Sequence, residues 1–191
     1  MYTLPTEIVL KNKTFHITNN GDYRMVLDCF SALQDAELDK DQRIICSLEI
    51  FYQEINSISD INTYEEYMES LINEMFLFIN GGQTTSPGAE RDVSLVDWTE
   101  DSQIICAAIN SVAKMEIRSV PYLHWWTFIG YYMSIGQSVL STVVGIRDKI
   151  KHGKKLDSWE AEFYRDNPNY FKRKCTEEDT IFEEYIKNLW K

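Results

Sequence analysis

The sequence reads Leu-His-Trp-Trp-Thr-Phe-Ile-Gly-Tyr-Tyr-Met-Ser-Ile at residues 123–135. Two adjacent tryptophans, a histidine, a phenylalanine and two tyrosines fall within about one helix length. No formally charged side chain lies between Arg118 and Arg147. Side chains this large and apolar are strongly favoured in positions away from water. The stretch therefore predicts a protein core, a membrane span or a docking surface for a partner.

A membrane span is the least favoured of these interpretations. The uncharged stretch covers 28 residues, from Ser119 to Ile146, and so exceeds the roughly 20 residues that cross a bilayer. Its middle, however, is polar and contains a glycine: Ser134, Gly136, Gln137, Ser138, Ser141 and Thr142. Such residues are typical of a turn between two helices, whereas a span would place them near the bilayer centre. We therefore expect a helix break at Gly136 and no contact with membranes.

Composition limits the class of protein. The chain has 191 residues, enough for one domain with a real core, and 44% of them are apolar. A net charge of −11 argues against binding to nucleic acid, which depends on a basic surface. The four cysteines are scattered without any Cys-x-x-Cys pair, and the amino terminus lacks the features of a signal peptide. We therefore expect a reducing cytoplasm rather than secretion.

The charge is distributed unevenly along the chain. Residues 1–80 carry 14 acidic and 5 basic side chains, a net charge of −9. Residues 147–174 carry 9 basic and 5 acidic side chains, and this basic run begins at Arg147. The run can contact an acidic partner, although cations that complement the dipole of a helix end explain it more simply. Charge alone leaves both interpretations open.

Hydrophobic periodicity predicts a mainly α-helical, bundle-like body behind a small amino-terminal β-hairpin. The short runs Ile8–Leu10 and Phe15–Ile17 favour strands around a Lys-Asn-Lys turn. A lone hairpin is marginal in water, so this one is expected to lie on the helices. The first helix is predicted to start at Asp22 and the second at Asp39 or Asp41, because aspartate is a favoured cap.

The later helices follow from caps and breaks. The third is predicted to begin with a capping box at Thr63-x-x-Glu66 and to end at Asn80-Gly81-Gly82. The remaining helices are expected over about 99–115, over about 122–135, from 139 to about 150, and in a tail from Thr176. Residues 81–97 form the most loop-like segment. We therefore predict a helical body with the hairpin over 1–150, followed by a basic connector and tail helix over 151–191.

No residue pattern points to catalysis. His124 is the most tempting single residue, but a general base needs an oriented partner, and its close neighbours in sequence are uncharged. Carboxylates cluster at 97–101 and at 65–69, where helix capping and a solvated helix face explain them. Neither cluster has the regular spacing of a calcium loop, and no zinc-ligand pattern occurs. We expect no enzyme activity, no cofactor and no metal.

Trp125 and Trp126 leave two roles open. Neighbouring residues of a helix point about 100° apart, so one tryptophan can enter the core while the other faces a second surface. Tryptophan is also enriched among the residues that dominate binding at protein interfaces. An intramolecular role is favoured, and a docking role for a partner remains the alternative.

Three motifs carry a resemblance to a known family. They are Asp101-Ser-Gln-Ile-Ile-Cys-Ala-Ala-Ile109, Leu123-His-Trp-Trp-Thr-Phe128 and Ile146-Arg147. With these motifs and its Leu4-Pro5 start, the chain resembles the "gene product fifteen" family of tailed phages and prophages of Gram-positive bacteria over most of residues 4–150. It departs from the family at Ile117-Arg118-Ser119, where the family tends to show an Ile-Asp-Leu-like triplet. Residues 151–191 match nothing specific.

The resemblance implies a role in phage tail assembly. Genes of this family lie just before the tape-measure gene that sets tail length, which implies a chaperone that binds the tape-measure protein in the host cytoplasm. A structural component of the tail or neck is the main alternative, and a small anti-defence factor or enzyme is a third. The family has no known catalytic residues. The side chains that we expect to contact a protein partner, either the tape-measure protein or another tail-assembly protein, are Trp125, Trp126, His124, Phe128 and Arg147.

Overall fold

Eight α-helices and one β-hairpin make up the part of the chain that the computed structural model describes, residues 3–83 and 95–172. The strands are β1 (Glu7–Leu10) and β2 (Lys13–His16). The helices in chain order are α1 (Tyr23–Leu33), α2 (Lys40–Phe51), α3 (Ile58–Thr63), α4 (Met68–Ile79), α5 (Ser102–Ala113), α6 (Trp125–Met133), α7 (Val139–Lys151) and α8 (Ser158–Asp166). The predicted fold class, mainly helical with a small amino-terminal hairpin, is confirmed.

The helices surround a single cluster of large apolar side chains. Helix α1 contacts α2 and α6, α2 contacts α4, and α5 contacts α6 and α7. The bulkiest fully buried side chains of the cluster come from both halves of the chain: Phe15, Phe51, Tyr52, Phe76, Trp125 and Phe128. The aromatic stretch therefore contributes to the core of the fold.

The hairpin lies on the helical body, as expected. Its strands pair antiparallel with Ile8 opposite Phe15. The ring of Phe15 contacts the rings of Tyr64, Tyr67 and Tyr52, with centroid separations of 5.4, 5.6 and 6.0 Å. These rings supply the apolar partner surface that a two-stranded hairpin requires.

The predicted helix starts at Asp22 and Asp39 are confirmed. The carboxylate of Asp22 accepts a hydrogen bond from the backbone N–H of Arg24 at 3.0 Å. Asp39 forms a capping box with Gln42, in which each side chain accepts a hydrogen bond from the backbone N–H of the other residue at 2.9 Å. Both caps satisfy N–H groups that have no partner within their helices.

The predicted start of the third helix at Thr63 is wrong. The chain forms the short helix α3, which Thr63 ends, and α4 begins only at Met68. A competing cap explains the difference, because the Ser57 side chain accepts from the backbone N–H of Asp60 and donates to its carboxylate. The Thr63 hydroxyl is used inside α3, where it donates to the carbonyl of Ser59 at 2.9 Å.

The aromatic helix is shorter than expected. Helix α6 covers Trp125–Met133 rather than 122–135. Leu123 and His124, just before α6, are held out of the helix by backbone hydrogen bonds of Leu123. Its carbonyl accepts from the N–H of Tyr23 at 2.9 Å, and its N–H donates to the carboxylate of Asp22 at 2.9 Å. The start of α6 is therefore tied to the start of α1.

Like α3, the last described helix was not predicted from the sequence. Helix α8 lies where a basic connector was expected, and it begins with a capping box between Asp157 and Glu160. The ammonium group of Lys149 donates to the carboxylate of Glu160 at 2.6 Å and so holds α8 against α7. This ion pair joins the last described part of the chain to the helical body.

Two predictions concern residues beyond this description, and a third stays untested. The tail helix from Thr176 lies outside the described residues, and so does most of the loop predicted over 81–97. The division of the chain near residue 150 stays a prediction.

Candidate partner-binding site

His124, the first of the side chains expected to contact a partner, caps helix α6. Its Nδ1 accepts a hydrogen bond from the backbone N–H of Trp126 at 3.0 Å. Its Nε2 lies 3.0 Å from the carbonyl oxygen of Pro5. Because Nδ1 accepts, the single proton of the neutral ring resides on Nε2 and is donated to that carbonyl. The imidazole thus joins the amino-terminal segment to the start of α6.

Burial keeps this imidazole neutral. His124 is 1% exposed, and its burial lowers the pKa of the side chain from the usual range. The ring of Phe78 lies edge-on to it at a centroid separation of 5.5 Å. Backbone groups occupy both ring nitrogens, an arrangement that suits a structural histidine.

The two tryptophans bind the end of helix α4. The indole Nε1–H of Trp125 donates to the carbonyl of Ile79 at 2.7 Å, and that of Trp126 donates to the carbonyl of Phe78 at 2.9 Å. The last four carbonyls of an α-helix have no partner within the helix, so they need donors from elsewhere. Adjacent indoles therefore supply donors to consecutive carbonyls. This explains the Trp-Trp pair by hydrogen bonding as well as by apolar burial.

Two glycines make room for this contact. Gly81 and Gly82 follow α4 with φ angles of +70° and +75°, which favour glycine. A Cβ atom on Gly81 would lie 2.7 Å from Cδ1 of Ile129, and one on Gly82 would lie 2.8 Å from Cη2 of Trp126. The Gly-Gly pair therefore ends α4, as predicted, and also lets α6 approach that end.

Phe128 joins the same buried aromatic cluster. It is 1% exposed, and its ring stacks on Tyr23 of α1 at a centroid separation of 4.6 Å. It also stacks on Trp125 at 5.4 Å. Trp98 contacts the cluster from the segment before α5, edge-on to Trp125 at 6.0 Å and stacked on Phe30 at 5.8 Å. These ring contacts join α1, α6 and the start of the second half of the chain.

Arg147 forms a buried ion pair with Asp101. Its Nη1 and Nη2 donate to the two carboxylate oxygens of Asp101 at 2.6 and 2.9 Å, while the side chains are 11% and 2% exposed. The guanidinium also donates to the carbonyls of Leu95 and Tyr170. Every guanidinium N–H therefore has an acceptor. The pair ties α7 to the start of α5 and to the turn that follows α8.

All five side chains expected at a partner contact are engaged within the chain. His124, Trp125 and Phe128 are buried, Trp126 is half-buried, and Arg147 is held by its ion pair. For the tryptophans, the geometry favours the intramolecular role over the docking role. Their contact with a partner stays a prediction.

A family model described as Bacteriophage Gp15 protein matches residues 3–172. The chain belongs to this bacteriophage Gp15 family. The resemblance inferred from the sequence motifs is thus confirmed, and the match continues past residue 150, where that resemblance ended. It therefore includes α8 and the turn that Arg147 binds. Searches of curated proteins and of solved structures found no match.

The uncharged stretch of this Gp15 family member is divided between two helices. Helix α6 ends at Met133 and α7 begins at Val139, with the polar turn between them where it was predicted. Across residues 3–83 and 95–172, no helix combines the length and apolar character that crossing a bilayer requires.

The carboxylates before α5 bind backbone N–H groups of the turn that leads to this helix, and neither forms the side-chain cap of α5 that the sequence predicted. Asp97 accepts from the backbone N–H groups of Thr99 and Glu100 at 2.9 and 2.8 Å. Asp101 accepts from the N–H of Asp97 at 2.9 Å in addition to its ion pair. In the described part of the chain, no three acidic, cysteine or histidine side chains are grouped so that they could hold a metal ion.

A set of acidic side chains lies at the amino-terminal ends of α2 and α4 and on the segments that precede these helices. Its exposed carboxylates belong to Asp35, Glu37, Asp39, Asp41, Glu65, Glu66 and Glu69. Helices α2 and α4 also carry apolar side chains that are only partly buried, namely Ile44, Ile45, Ile50, Met68 and Ile72. The two helices are in contact, and the hydroxyl of Tyr52 donates to the carbonyl of Leu71 at 2.8 Å. We call these carboxylates and apolar side chains the acidic face.

A second accessible surface, on α7 and α8, was missed in the sequence. Trp159 is 57% exposed, Ile150 is 47% exposed and Tyr164 is 41% exposed. The capping box of Asp157 and Glu160 was the signal that could have located α8 and its tryptophan.

Proposed function

We propose that this protein is a non-enzymatic tail-assembly chaperone that binds the tape-measure protein of its phage in the host cytoplasm. Membership of the bacteriophage Gp15 family supports a phage role. The gene order implied by the sequence resemblance supports the tape-measure protein as the partner. Family membership is an associational argument for function, so the binding surface has to be argued from the residues.

The acidic face carries the proposal. Residues 1–80 have a net charge of −9, and α2, α4 and their flanks expose many of the carboxylates. Partly exposed isoleucines on the same helices offer apolar contact area. An amphipathic helix with basic stretches would gain both electrostatic attraction and apolar burial on such a surface. This is the chemistry that we assign to the segment of the tape-measure protein that binds.

The tryptophan pair supports the acidic face rather than forming it. Trp125 and Trp126 hold the carboxy-terminal end of α4, and α4 is one of the two central helices of that face. The aromatic motif is then a device that positions the binding helix. Its substitution should weaken partner binding only through loss of folded structure.

Co-expression with the tape-measure protein tests the proposal. The wild-type protein should increase the amount of soluble tape-measure protein and should co-purify with it. The triple variant Glu65→Gln/Glu66→Gln/Glu69→Gln removes three exposed charges of the acidic face and should reduce both effects. A matched control removes three exposed carboxylates elsewhere and should behave as wild type: Glu100→Gln/Glu162→Gln/Asp166→Asn.

Two outcomes decide against the proposal. If the wild-type protein neither solubilises the tape-measure protein nor co-purifies with it, the proposal is rejected. Mass spectrometry of purified phage particles distinguishes the chaperone from a structural component of the tail or neck. A chaperone leaves the particle, so finding the protein there in stoichiometric amount would reject the proposal in favour of the structural role.

A further inference from the structure

The two edges of the amino-terminal hairpin differ. The outer edge of β2 is covered by the chain that follows α2. The N–H of His16 donates to the carboxylate of Glu54 at 2.9 Å, and the carbonyl of His16 accepts from the N–H of Gln53 at 3.0 Å. The outer edge of β1 pairs with no other strand among residues 3–83 and 95–172. Within the described chain, the hairpin is therefore open on the β1 side only.

The open edge carries backbone groups of Glu7 and Val9. The N–H of Ile17 donates to the carbonyl of Thr6, which lies directly opposite in the ladder, at 2.9 Å. In an antiparallel ladder, pairs that exchange hydrogen bonds alternate with pairs that do not. Glu7 and Val9 therefore belong to the pairs that exchange none, and the outward N–H of His16, opposite Glu7, agrees with this. Their N–H and C=O groups point toward the open edge, and no described residue bonds to these groups.

The side chains along this edge are accessible. Val9 is 62% exposed. The side chains of Glu7 and of Lys11, which follows the strand, are 55% and 66% exposed. An open strand edge with an exposed apolar side chain is a template for pairing with another strand. A strand added here would gain main-chain hydrogen bonds to Glu7 and Val9 and would cover the Val9 side chain.

Charge selects the strand that fits this edge. On an antiparallel partner, the residue opposite Glu7 comes two positions after the residue opposite Val9. A partner with an apolar residue and then, two positions later, a basic residue places a cation beside Glu7, whereas a like charge there is unfavourable. The chain itself has this order in Val9-Leu10-Lys11. Two copies of β1 paired about Val9 thus place Glu7 of each copy opposite Lys11 of the other.

The present neighbours of these two side chains permit such pairing. The ammonium of Lys11 lies 3.4 Å from the carboxylate of Glu66, and the carboxylate of Glu7 lies 3.9 Å from Nε2 of His16. All four side chains are more than half exposed, so each pair contributes little to stability. Lys11 begins the turn after β1, and its flexible side chain can exchange Glu66 for a carboxylate on an adjacent strand.

We propose that the open edge of β1 is an interface between two copies of this chain, whose β1 strands pair antiparallel about a two-fold axis at Val9. Reciprocal hydrogen bonds between the Val9 backbones and two ion pairs between Glu7 and Lys11 join the copies. A two-fold contact uses the same edge in both copies, so it closes and leaves no β1 edge for further copies. The proposal does not rest on binding of the tape-measure protein, because its test uses this protein alone.

Sedimentation velocity of the full-length protein over a concentration series tests the proposal. We expect the wild type to show an equilibrium between monomer and dimer. Val9→Pro removes an N–H that faces the second copy and that the hairpin does not use, so the dissociation constant of the dimer should rise about tenfold or more. Val9→Thr is the matched control, because it keeps the N–H and a β-branched side chain and should dimerise as the wild type does.

Charge variants identify the partner strand and its register, and they keep the test decisive if Val9→Pro does not fold. Glu7→Lys and Lys11→Glu should each weaken dimerisation, because each places like charges opposite one another. An equimolar mixture of these two variants should form a heterodimer, since their opposite charges then face one another. The double variant Glu7→Lys/Lys11→Glu should dimerise again.

Three results would overturn the proposal. The first is a wild type that stays monomeric up to about 1 mM. The second is a dimer that neither Val9→Pro nor the charge variants weaken, because that dimer forms through another surface. The third is a mixture of the two single variants that associates no more than either variant alone. If the wild type is monomeric and Val9→Pro instead weakens binding of a tape-measure fragment, the edge receives a strand of that partner and not a second copy.

Discussion

Replacing each tryptophan of the motif by phenylalanine separates its hydrogen bond from its ring packing. Trp125→Phe removes the donor to the carbonyl of Ile79, and the Trp125 indole is the one donor to that carbonyl among the described residues. Trp126→Phe removes the donor to the carbonyl of Phe78, which still accepts from the N–H of Gly81 at 2.9 Å. The two substitutions are chemically identical, so any difference between them comes from position.

The structure predicts that the two losses differ. For Trp125→Phe, an unsatisfied buried carbonyl costs about 1–3 kcal/mol. The smaller ring leaves a cavity worth roughly a further 1–2 kcal/mol, less than the ~3–5 kcal/mol of truncation to alanine. The total is about 3 kcal/mol. For the half-buried Trp126, whose acceptor keeps another donor, about 1 kcal/mol is expected. The difference of about 2 kcal/mol corresponds to roughly 30-fold in the unfolding equilibrium.

Urea denaturation followed by far-ultraviolet circular dichroism measures both losses, since the substitutions change the fluorescence itself. The slope of free energy against urea should remain that of wild type, so that midpoints report stability. Equal losses for the two variants, or a larger loss for Trp126→Phe, would refute the argument that the Ile79 carbonyl depends on Trp125.

Three other predictions rest on single positions. Gly82→Ala should destabilise the fold by about 2 kcal/mol, because Gly82 has a left-handed φ and Trp126 approaches it closely. Gly145→Ala, in α7 with open space around it, should instead stabilise the fold by about 0.5–1 kcal/mol. Thermal melts of the two variants compare these effects, and a destabilising Gly145→Ala would contradict the reasoning. Arg147→Met leaves the buried carboxylate of Asp101 without its cation and should lower the free energy of unfolding in urea by about 3–5 kcal/mol. Adding Asp101→Asn should recover part of this loss. A loss under about 1 kcal/mol would show that the pair is unimportant. Because burial lowers the pKa of His124 in the folded protein, the unfolded chain binds the proton of this side chain more readily. The free energy of unfolding should therefore fall as pH drops below the unfolded value near 6.5. This fall between pH 7.5 and 5.5 should be smaller in His124→Asn, and a pH profile unchanged by the substitution would contradict the assignment.

The pH experiment needs one control. The hydrogen bond that the His16 ring donates to the carboxylate of Glu54 raises the pKa of His16, whose contribution is therefore present at low pH and lost as pH rises through the raised pKa. This dependence opposes that of His124. The protein with His124 and the His124→Asn variant are therefore best compared in the His16→Gln background. The difference between their stabilities as a function of pH then reports His124.

Local patterns in the sequence predicted those parts of the fold that local physics controls. The caps at Asp22 and Asp39 were found because a capping side chain acts within three residues of its target. The error at Thr63 has the same origin, because two possible capping residues, Ser57 and Thr63, lie close together in the sequence. Ser57 is the one that caps a helix, and Thr63 ends that helix. The aromatic helix was expected to be longer because nothing local shows that Leu123 is bonded to the start of α1.

The contacts of the candidate site are long-range, and a single sequence does not show them. Arg147 and Asp101 are separated by 46 positions, and so are Trp125 and Ile79. The motifs marked His124, the tryptophans and Arg147 as unusual residues, but only the packed structure shows that their partners are carbonyls and a carboxylate of the same chain. The acidic face was foreseen as a charge imbalance, whereas its location on α2 and α4 required the fold.

Binding of a purified tape-measure fragment to the purified protein tests the central claim most directly. Isothermal titration calorimetry with a soluble helical fragment, at two salt concentrations, gives the dissociation constant of the wild type and of the Glu65→Gln/Glu66→Gln/Glu69→Gln variant. The account predicts binding that weakens at higher salt and in this variant, because surface charges attract the fragment. Absence of binding, or an affinity that neither salt nor the three neutralised carboxylates change, would contradict it.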